Sequence, residues 1–310
     1  MRALIIAVML AALVGTTVLA QEAPRGKIIY SRAVGDGFRL HVMNADGSGD
    51  RELPNQTRRF NTFGAWSADG KRVAYTAFDD EKFLDPQVYL ADADGGNTKQ
   101  LPSPQPAAAM AAWSPDGAQL TFMAGDPRST PPMAYVSDTL GNQARRLSRE
   151  GAPGFAPFWS ADGKSVCYTR GRDADQTTTI VRHTLASDAV EELQEVNASI
   201  AVCGPNALSP DGNSFVFHAF VEQDRGGDFR VYDIANRSIS TLTELGGKFG
   251  ERAPTIIPTA CWAPDGKSLL LTLLENDKLG IFRVSLDGKE KTSLTPAGVE
   301  AANPAWWSPE

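Results

Sequence analysis

The sequence predicts an all-β fold, a six-bladed β-propeller with four-stranded antiparallel blades, its ring closed by the C-terminal strand pairing with the N-terminal blade. Three markers predict it. A Trp-Ser-x-Asp-Gly motif or a near relative stands at Trp66–Gly70, Trp113–Gly117, Trp159–Gly163, Leu208–Gly212, Trp262–Gly266 and, cut short, Trp307–Glu310. The steps between these positions are 47, 46, 49, 54 and 45 residues. An alternating apolar pair follows seven and nine positions later, at Val73/Tyr75, Leu120/Phe122, Val166/Tyr168, Phe215/Phe217 and Leu269/Leu271. A further pair, Ile28/Tyr30, has no motif before it. A Leu then ends each unit: Leu53, Leu101, Leu147, Leu193, Leu242 and Leu294. The counts agree at six and are out of phase at the two chain ends, as a radial repeat requires.

The elements follow in order. Arg2, the apolar run Leu4–Gly15 and the small residues Val18 and Ala20 read as a signal peptide over residues 1–20, cleaved after Ala20. Residues 21–310 then form one propeller domain. The apolar run is short for a membrane span and nothing later approaches one, so no integral span is expected in the mature chain. A retained N-terminal anchor is the alternative.

The mature chain opens with strands B, C and D of a blade, around Lys27–Tyr30, Phe38–Met43 and Arg51–Leu53, with no strand A. The second blade shows the complete pattern. Apolar residues lead into Trp66, Asp69-Gly70 supplies a tight turn, and the period-2 run Lys71–Ala77 gives strand B. A polar loop, strand C at Gln87–Asp92, a second turn at Ala93–Asn97 and a short strand D complete it. The long connection Glu244–Pro258 accounts for part of the 54-residue step. Ala301–Ser308 supplies the missing first strand, with Trp307, Trp306, Ile28 and Tyr30 at the closure. Trp66, Trp113, Trp159 and Trp262 read as packing between blades. Trp306 stands one position before the repeat Trp, where alternation turns it to the other face.

Composition bounds the function. With 42% hydrophobic residues the 310-residue chain can bury a large core, and a net charge of −7 argues against nucleic acid or an anionic membrane surface as partner. Cys167, Cys203 and Cys261 are an odd set in apolar runs, read as free buried thiols, with a Cys203–Cys261 bridge as the alternative.

The stretches "WSADGKRVAYTA", "WSPDGAQLTFMA", "WSADGKSVCYTR" and "WAPDGKSLLLTL", with "ADGG"-like turns, resemble the TolB-type propeller repeat from about Gly26 to Glu310. The resemblance implies a propeller that binds protein or peptide. In TolB itself an α/β domain precedes the propeller, and prolyl-oligopeptidase-like peptidases pair the same repeat with a hydrolase domain. Here the resemblance covers a propeller alone. Related propellers such as oligogalacturonate lyases catalyse, so a propeller-type enzyme or carbohydrate-active protein with a site at the channel mouth stays open as the alternative.

No catalytic set stands out. There is no G-x-S-x-G elbow, and His41, His183 and His218 show no metal-ligand spacing. Asn44–Asp50 superficially resembles a calcium loop but lacks the bidentate Glu, so it reads as a hairpin turn. No cofactor is expected; a channel cation stays open by analogy, with no residue assigned. Asn55–Thr57, Asn197–Ser199 and Asn236–Ser238 are sequons only in a glycosylating host.

The loops between strands B and C, and those from each strand D to the next strand A, emerge together around the channel mouth. They carry the candidate partner-binding residues: Arg58, Arg59, Phe60, Asp80, Phe83, Arg128, Arg172, Asp224, Arg225, Lys248, Phe249 and Arg252. The expected partner is a protein or peptide of the cell envelope or extracellular space, met by a periplasmic or secreted, non-catalytic module.

Overall fold

The computed structural model describes residues 24–149, 151–171, 177–198, 200–221, 226–242 and 258–309. Every regular element among them is a β-strand. In chain order these are β1 (Lys27–Val34), β2 (Gly37–Asn44), β3 (Arg51–Glu52), β4 (Phe60–Trp66), β5 (Arg72–Phe78), β6 (Gln87–Asp92) and β7 (Lys99–Gln100). Then follow β8 (Ala107–Trp113), β9 (Gln119–Asp126), β10 (Thr130–Asp138), β11 (Arg145–Arg146), β12 (Phe155–Trp159), β13 (Ser165–Gly171), β14 (Thr177–Thr184) and β15 (Ala189–Asn197). The rest are β16 (Ile200–Val202), β17 (Ser214–Val221), β18 (Gly226–Asp233), β19 (Ser238–Thr241), β20 (Ala260–Trp262), β21 (Ser268–Glu275), β22 (Lys278–Ser285), β23 (Lys291–Ser293) and β24 (Ala301–Trp307).

Four sheets are four-stranded antiparallel meanders: β8–β11, β12–β15, β16–β19 and β20–β23. The fifth has eight strands, in which β24-β1-β2-β3 and β4-β5-β6-β7 are joined by a single parallel bridge from Phe38 to Phe60. The first strands β4, β8 and β20 are buried along their whole length, whereas the last strands β3, β7, β11 and β23 are exposed. Each sheet therefore has an inner and an outer edge, the arrangement of propeller blades.

The motif builds the turn after each inner strand. Ser67 Oγ donates to Asp69 Oδ1 at 2.7 Å, the same carboxylate accepts the Lys71 N–H at 3.1 Å, and Gly70 takes φ 65°. The turns at Ser114, Ser160 and Ser209 repeat this bond at 2.6, 2.7 and 2.5 Å. Asp supplies the acceptor and Gly the left-handed backbone, so both residue types recur for local reasons.

The core lies between sheets rather than within one. Trp66 packs with Ile29, Leu40 and Val42 of the preceding strands, and Trp113 with Ala65, Ala74 and Val88. Trp159 and Trp262 fill the corresponding seams. This is the packing role the motif implies, and burying each indole contributes on the order of 3 kcal/mol.

β24 lies antiparallel to β1, from Lys27↔Trp307 to Arg32↔Ala301. The register corrects the assignment of the two adjacent tryptophans. Ile28 faces Trp306 as Val73 faces Trp66, so Trp306, not Trp307, holds the repeat position. Asn303, three residues before Trp306, has φ 59°, matching Phe63, Met110 and Ala156 three residues before their Trp. Trp306 fills a seam with Cys261, Leu270 and Ile281, while Trp307 packs one seam further on, against Trp66. Strand pairing with β1 sets the frame.

The three thiols are free and buried. Cys167 and Cys203 share one cluster and Cys261 lies in another, which excludes the Cys203–Cys261 bridge from this structure. Burial pushes Cys167 and Cys261 up to about 12, so none is reactive at neutral pH. Asn44–Asp50 is a hairpin turn. Asp46 accepts from Ser48, while Asp50 turns away to Tyr30, Arg32 and His41.

Candidate functional site: the loop face

The connection from β3 to β4 is held by side chains that imitate strand pairing. Gln56 Oε1 accepts the Leu40 N–H at 2.7 Å and Gln56 Nε2 donates to the Leu40 carbonyl at 3.0 Å. This sets Arg58 and Arg59 at the start of β4. The loop from β5 to β6 is shaped by its own carboxylates. Asp80 Oδ1 accepts the Lys82 N–H, Asp85 Oδ1 accepts the Asp79 and Asp80 N–H groups, and Phe83 sits at φ 57°.

The arginines tie these loops together. Arg58 Nη1 lies 2.6 Å from Asp85 Oδ2 and 3.4 Å from Asp79, and its Nε donates to the Tyr89 hydroxyl at 3.3 Å. Burial opposes its charge, but Tyr89, Asp85 and Asp79 outweigh burial and hold it protonated. Arg59 reaches Asp36 at 3.3 Å and Glu81 at 2.8 Å while its guanidinium covers the Phe60 ring at 4.8 Å. The side chains of Asp36, Glu81 and Asp79 are 86, 62 and 59% exposed, against 22% for Arg58 and 36% for Arg59. The lip therefore presents carboxylates outward over arginines turned inward.

Phe60 and Phe83, expected as projecting anchors, separate here. Phe60 is 3% exposed and stacked on Phe78 at 5.0 Å, so it braces the face from beneath. Phe83 is half-buried, edge-on to Phe78 at 4.8 Å, and packs on an apolar group from successive inner strands: Phe63, Met110, Ala156 and Val202. Met123 and Phe155 lie partly buried against the same group. The Met and aromatic types of Phe63, Met110 and Phe155 at inner-strand positions were the sequence signal for this apolar group. Arg128 stands apart, exposed in the tight turn after β9, where its N–H bonds Asp126. Arg172, Asp224, Arg225, Lys248, Phe249 and Arg252 lie outside the described residues.

The histidines do not meet at this mouth. His183 Nε2 is 2.7 Å from Asp188 in an outer turn, and His41 Nδ1 is 3.0 Å from Asp50. His218 is 1% exposed beside Gly227. Among the described residues, no group of three His, Cys, Asp or Glu side chains is placed to hold a metal ion. No helix among them is long and apolar enough to cross a membrane.

An all-β chain of four-stranded sheets with buried first strands and exposed last strands defines a propeller-type protein. The chain belongs to the TolB beta propeller domain family, which matches residues 23–310. A stretch of 66 residues is 36% identical to the Tol-Pal system protein TolB of Hahella chejuensis, covering 21% of this chain and 14% of that protein. Among solved structures, TolB from Acinetobacter baumannii matches with a TM-score of 0.71 and 21% identity, over 91% of this chain and 66% of that one. A putative TolB from Agrobacterium tumefaciens gives 0.64 and 16%, over 92% and 99%. An oligogalacturonate lyase in complex with manganese gives 0.56 and 14%, over 83% and 74%. The chain thus spans less than two thirds of the Hahella and Acinetobacter proteins, and the structural likenesses speak to the fold.

Proposed function

We propose that this protein is an exported, non-catalytic TolB-like propeller that binds a protein or peptide of the cell envelope or extracellular space. Six blades form its ring, which β24 closes by pairing with β1. The loop face is the binding surface.

One observation carries the reading. The Arg58–Arg59 lattice ties three separate loops into an acidic lip beside the partly buried Phe83. Loops held by ion pairs bind with a smaller ordering cost, and an aromatic side chain beside a charged rim is a common interface anchor. The exposed carboxylates favour a partner with basic groups. A TolB of the Tol-Pal system among its relatives supports an envelope role, and the leader-like residues 1–20 support export to the periplasm or beyond.

The test is affinity capture of the exported chain from native envelope and medium fractions, with mass spectrometry. A specific partner is expected, lost when Asp36, Asp79 and Glu81 are replaced by Lys or Phe83 by Ala. Capture that is unchanged by these replacements would overturn the loop face as the site.

A further inference from the structure

Three repeats carry a tyrosine at the same place in strand B: Tyr30, Tyr75 and Tyr168. In the first two, the hydroxyl meets a polar side chain three residues before the Leu that ends the unit. Tyr30 donates to Asp50 Oδ1 at 2.7 Å, and Tyr75 meets Thr98. Where the repeat has Phe instead, at Phe122 and Phe217, the same later position holds Ala144 and Ile239. Tyr168 breaks the rule, because its counterpart is Val190. The strand register confirms the equivalence. Tyr30 faces His41 and His41 faces Glu52, as Tyr168 faces Val181 and Val181 faces Glu192, so Asp50 and Val190 stand two residues earlier at matching places. The Tyr168 hydroxyl is left without a hydrogen-bond partner among the described residues.

That hydroxyl opens on a cavity of about 190 Å³ lined by Arg149, Ala152, Tyr168, Arg170, Val190 and Glu192. Arg170 follows Tyr168 by two residues, as Arg32 follows Tyr30. In the first repeat one carboxylate serves both groups, since Asp50 Oδ2 lies 2.5 Å from Arg32. In the cavity Arg170 pairs with Glu192 on one side. Arg149 stands two residues after Leu147, where the first repeat's seam has Pro296 two residues after Leu294. It is exposed, and no ion pair holds it among the described residues. Relative to the first repeat, this site has lost an acid and gained a base, so two guanidiniums face one carboxylate. Tyr168 is only 3% exposed. Burial raises its hydroxyl against the opposing pull of Arg170 and Arg149, so it stays a proton donor at neutral pH. Val190 and Ala152 add an apolar wall.

We infer that this cavity binds an organic carboxylate, which takes the place that Asp50 holds in the first repeat, accepting from the Tyr168 hydroxyl and pairing with Arg149 and Arg170. The template is a planar group with two oxygens, one for the tyrosine and one for the arginine, and guanidinium–carboxylate pairs are among the stronger hydrogen bonds. The volume suits a body the size of one side chain, since drug-sized ligands need roughly 300–1,000 Å³. A small free acid and the terminal carboxylate of a peptide present the same group. The site is independent of the loop-face reading: it shares no residue with the Arg58–Arg59 lip and takes a ligand of the opposite charge.

The experiment is a ligand-observed NMR titration of the full mature chain with butyrate and with N-acetylated tri-alanine. Butyramide and the C-terminal amide of the peptide are the neutral controls. Saturable line broadening is expected with the acids, at least about tenfold weaker with the matching amides, and weakened by added salt. Tighter binding of butyrate makes a small free acid the carrier, and tighter binding of the peptide makes it a chain terminus. Tyr168→Phe installs the residue that two other repeats carry, so it should melt with the wild type yet bind about tenfold more weakly. Arg149→Gln, at an exposed position, should weaken binding by a similar factor. Val190→Asp should supply the missing carboxylate from within and remove binding; if it does not fold, Tyr168→Phe still decides. No saturable response to either acid, equal response to the amides, or full binding by Tyr168→Phe would overturn the inference.

Discussion

Two seams of the propeller are built from the same parts by very different routes. Between β5 and β8, the Met110 N–H donates to Thr76 Oγ1 at 2.9 Å, Met110 sits at φ 56°, and Trp113 closes the seam. Between β21 and β24, the Asn303 N–H donates to Thr272 Oγ1 at 3.0 Å, Asn303 sits at φ 59°, and Trp306 closes the seam. The first seam joins neighbours in the chain; in the second, β24 reaches β1 from the far end. What differs is the turn. In the other blades the motif turn ties the first strand to the second, whereas β24 and β1 are distant in the chain and are joined by their pairing, by the Trp306 indole's bond to the Arg25 carbonyl and by Trp307. That indole donates to the Ala68 carbonyl at 3.0 Å and packs on Gly70 and Trp66, so it takes over part of what a covalent turn does.

The largest break in the comparison is removal of Ala301–Glu310. It strips β1 of its partner, exposes a strand edge and empties the Trp306 seam, so the shortened chain should lose its cooperative transition in circular dichroism melts. Grafting the same segment ahead of Lys27 through an Asp-Gly turn should restore it. A shortened chain that melts with the full one would show that the β1–β24 seam contributes nothing. Within the segment, Trp306→Ala should cost about 3–5 kcal/mol, comparable to Trp113→Ala, because both empty a buried seam. Trp307→Ala should cost about 1–2 kcal/mol, since that indole is half-exposed. Urea midpoints read both, and equal losses at the two positions would reverse the register assigned to them.

A third seam carries a titratable residue at the same place. His218 stands in β17 where Thr76 and Thr272 stand elsewhere, and burial, with Arg230 nearby, lowers it from 6.5 to about 4. Above pH 6.5 the ring is neutral folded or unfolded and contributes no slope. Between 6.5 and about 4 the unfolded chain takes up a proton that the folded chain does not, so stability falls as pH falls. The loss over that window is about 3 kcal/mol. His218→Thr should flatten this part of the pH profile of urea midpoints, whatever it does to the plateau; an unchanged slope would assign the dependence to other groups.

These seams also show how far the sequence could be read. Ser-x-Asp-Gly was legible because the turn itself demands an acceptor and a left-handed glycine within five residues, whatever surrounds them. The Trp was legible as seam packing because it recurs at the same place in the repeat. The final pair Trp306-Trp307 was not, because alternation says only that the two face opposite ways, and the pairing with Ile28 decides which way. The loop arginines were visible as residue types, but their carboxylates come from two other loops, so the inward-facing cations could not be foreseen.

The finest test of the β1–β24 seam is a pair of glycines. Gly70 and Gly117 hold equivalent turn positions at φ 65° and 68°, so alanine at either pays about 1 kcal/mol for a left-handed backbone. A Cβ at Gly117 meets nothing within 4 Å, whereas one at Gly70 would stand 2.2 Å from Trp307 Cε2. Gly70→Ala must therefore displace the indole as well, adding about 1–2 kcal/mol of overpacking to the backbone term. If Trp307 is the cause, the excess should vanish in a double-mutant cycle with Trp307→Ala, leaving Gly70→Ala as costly as Gly117→Ala. An excess that survives loss of the indole would mean that Gly70 is constrained by its own turn, and that Trp307 does not stand in for the missing one.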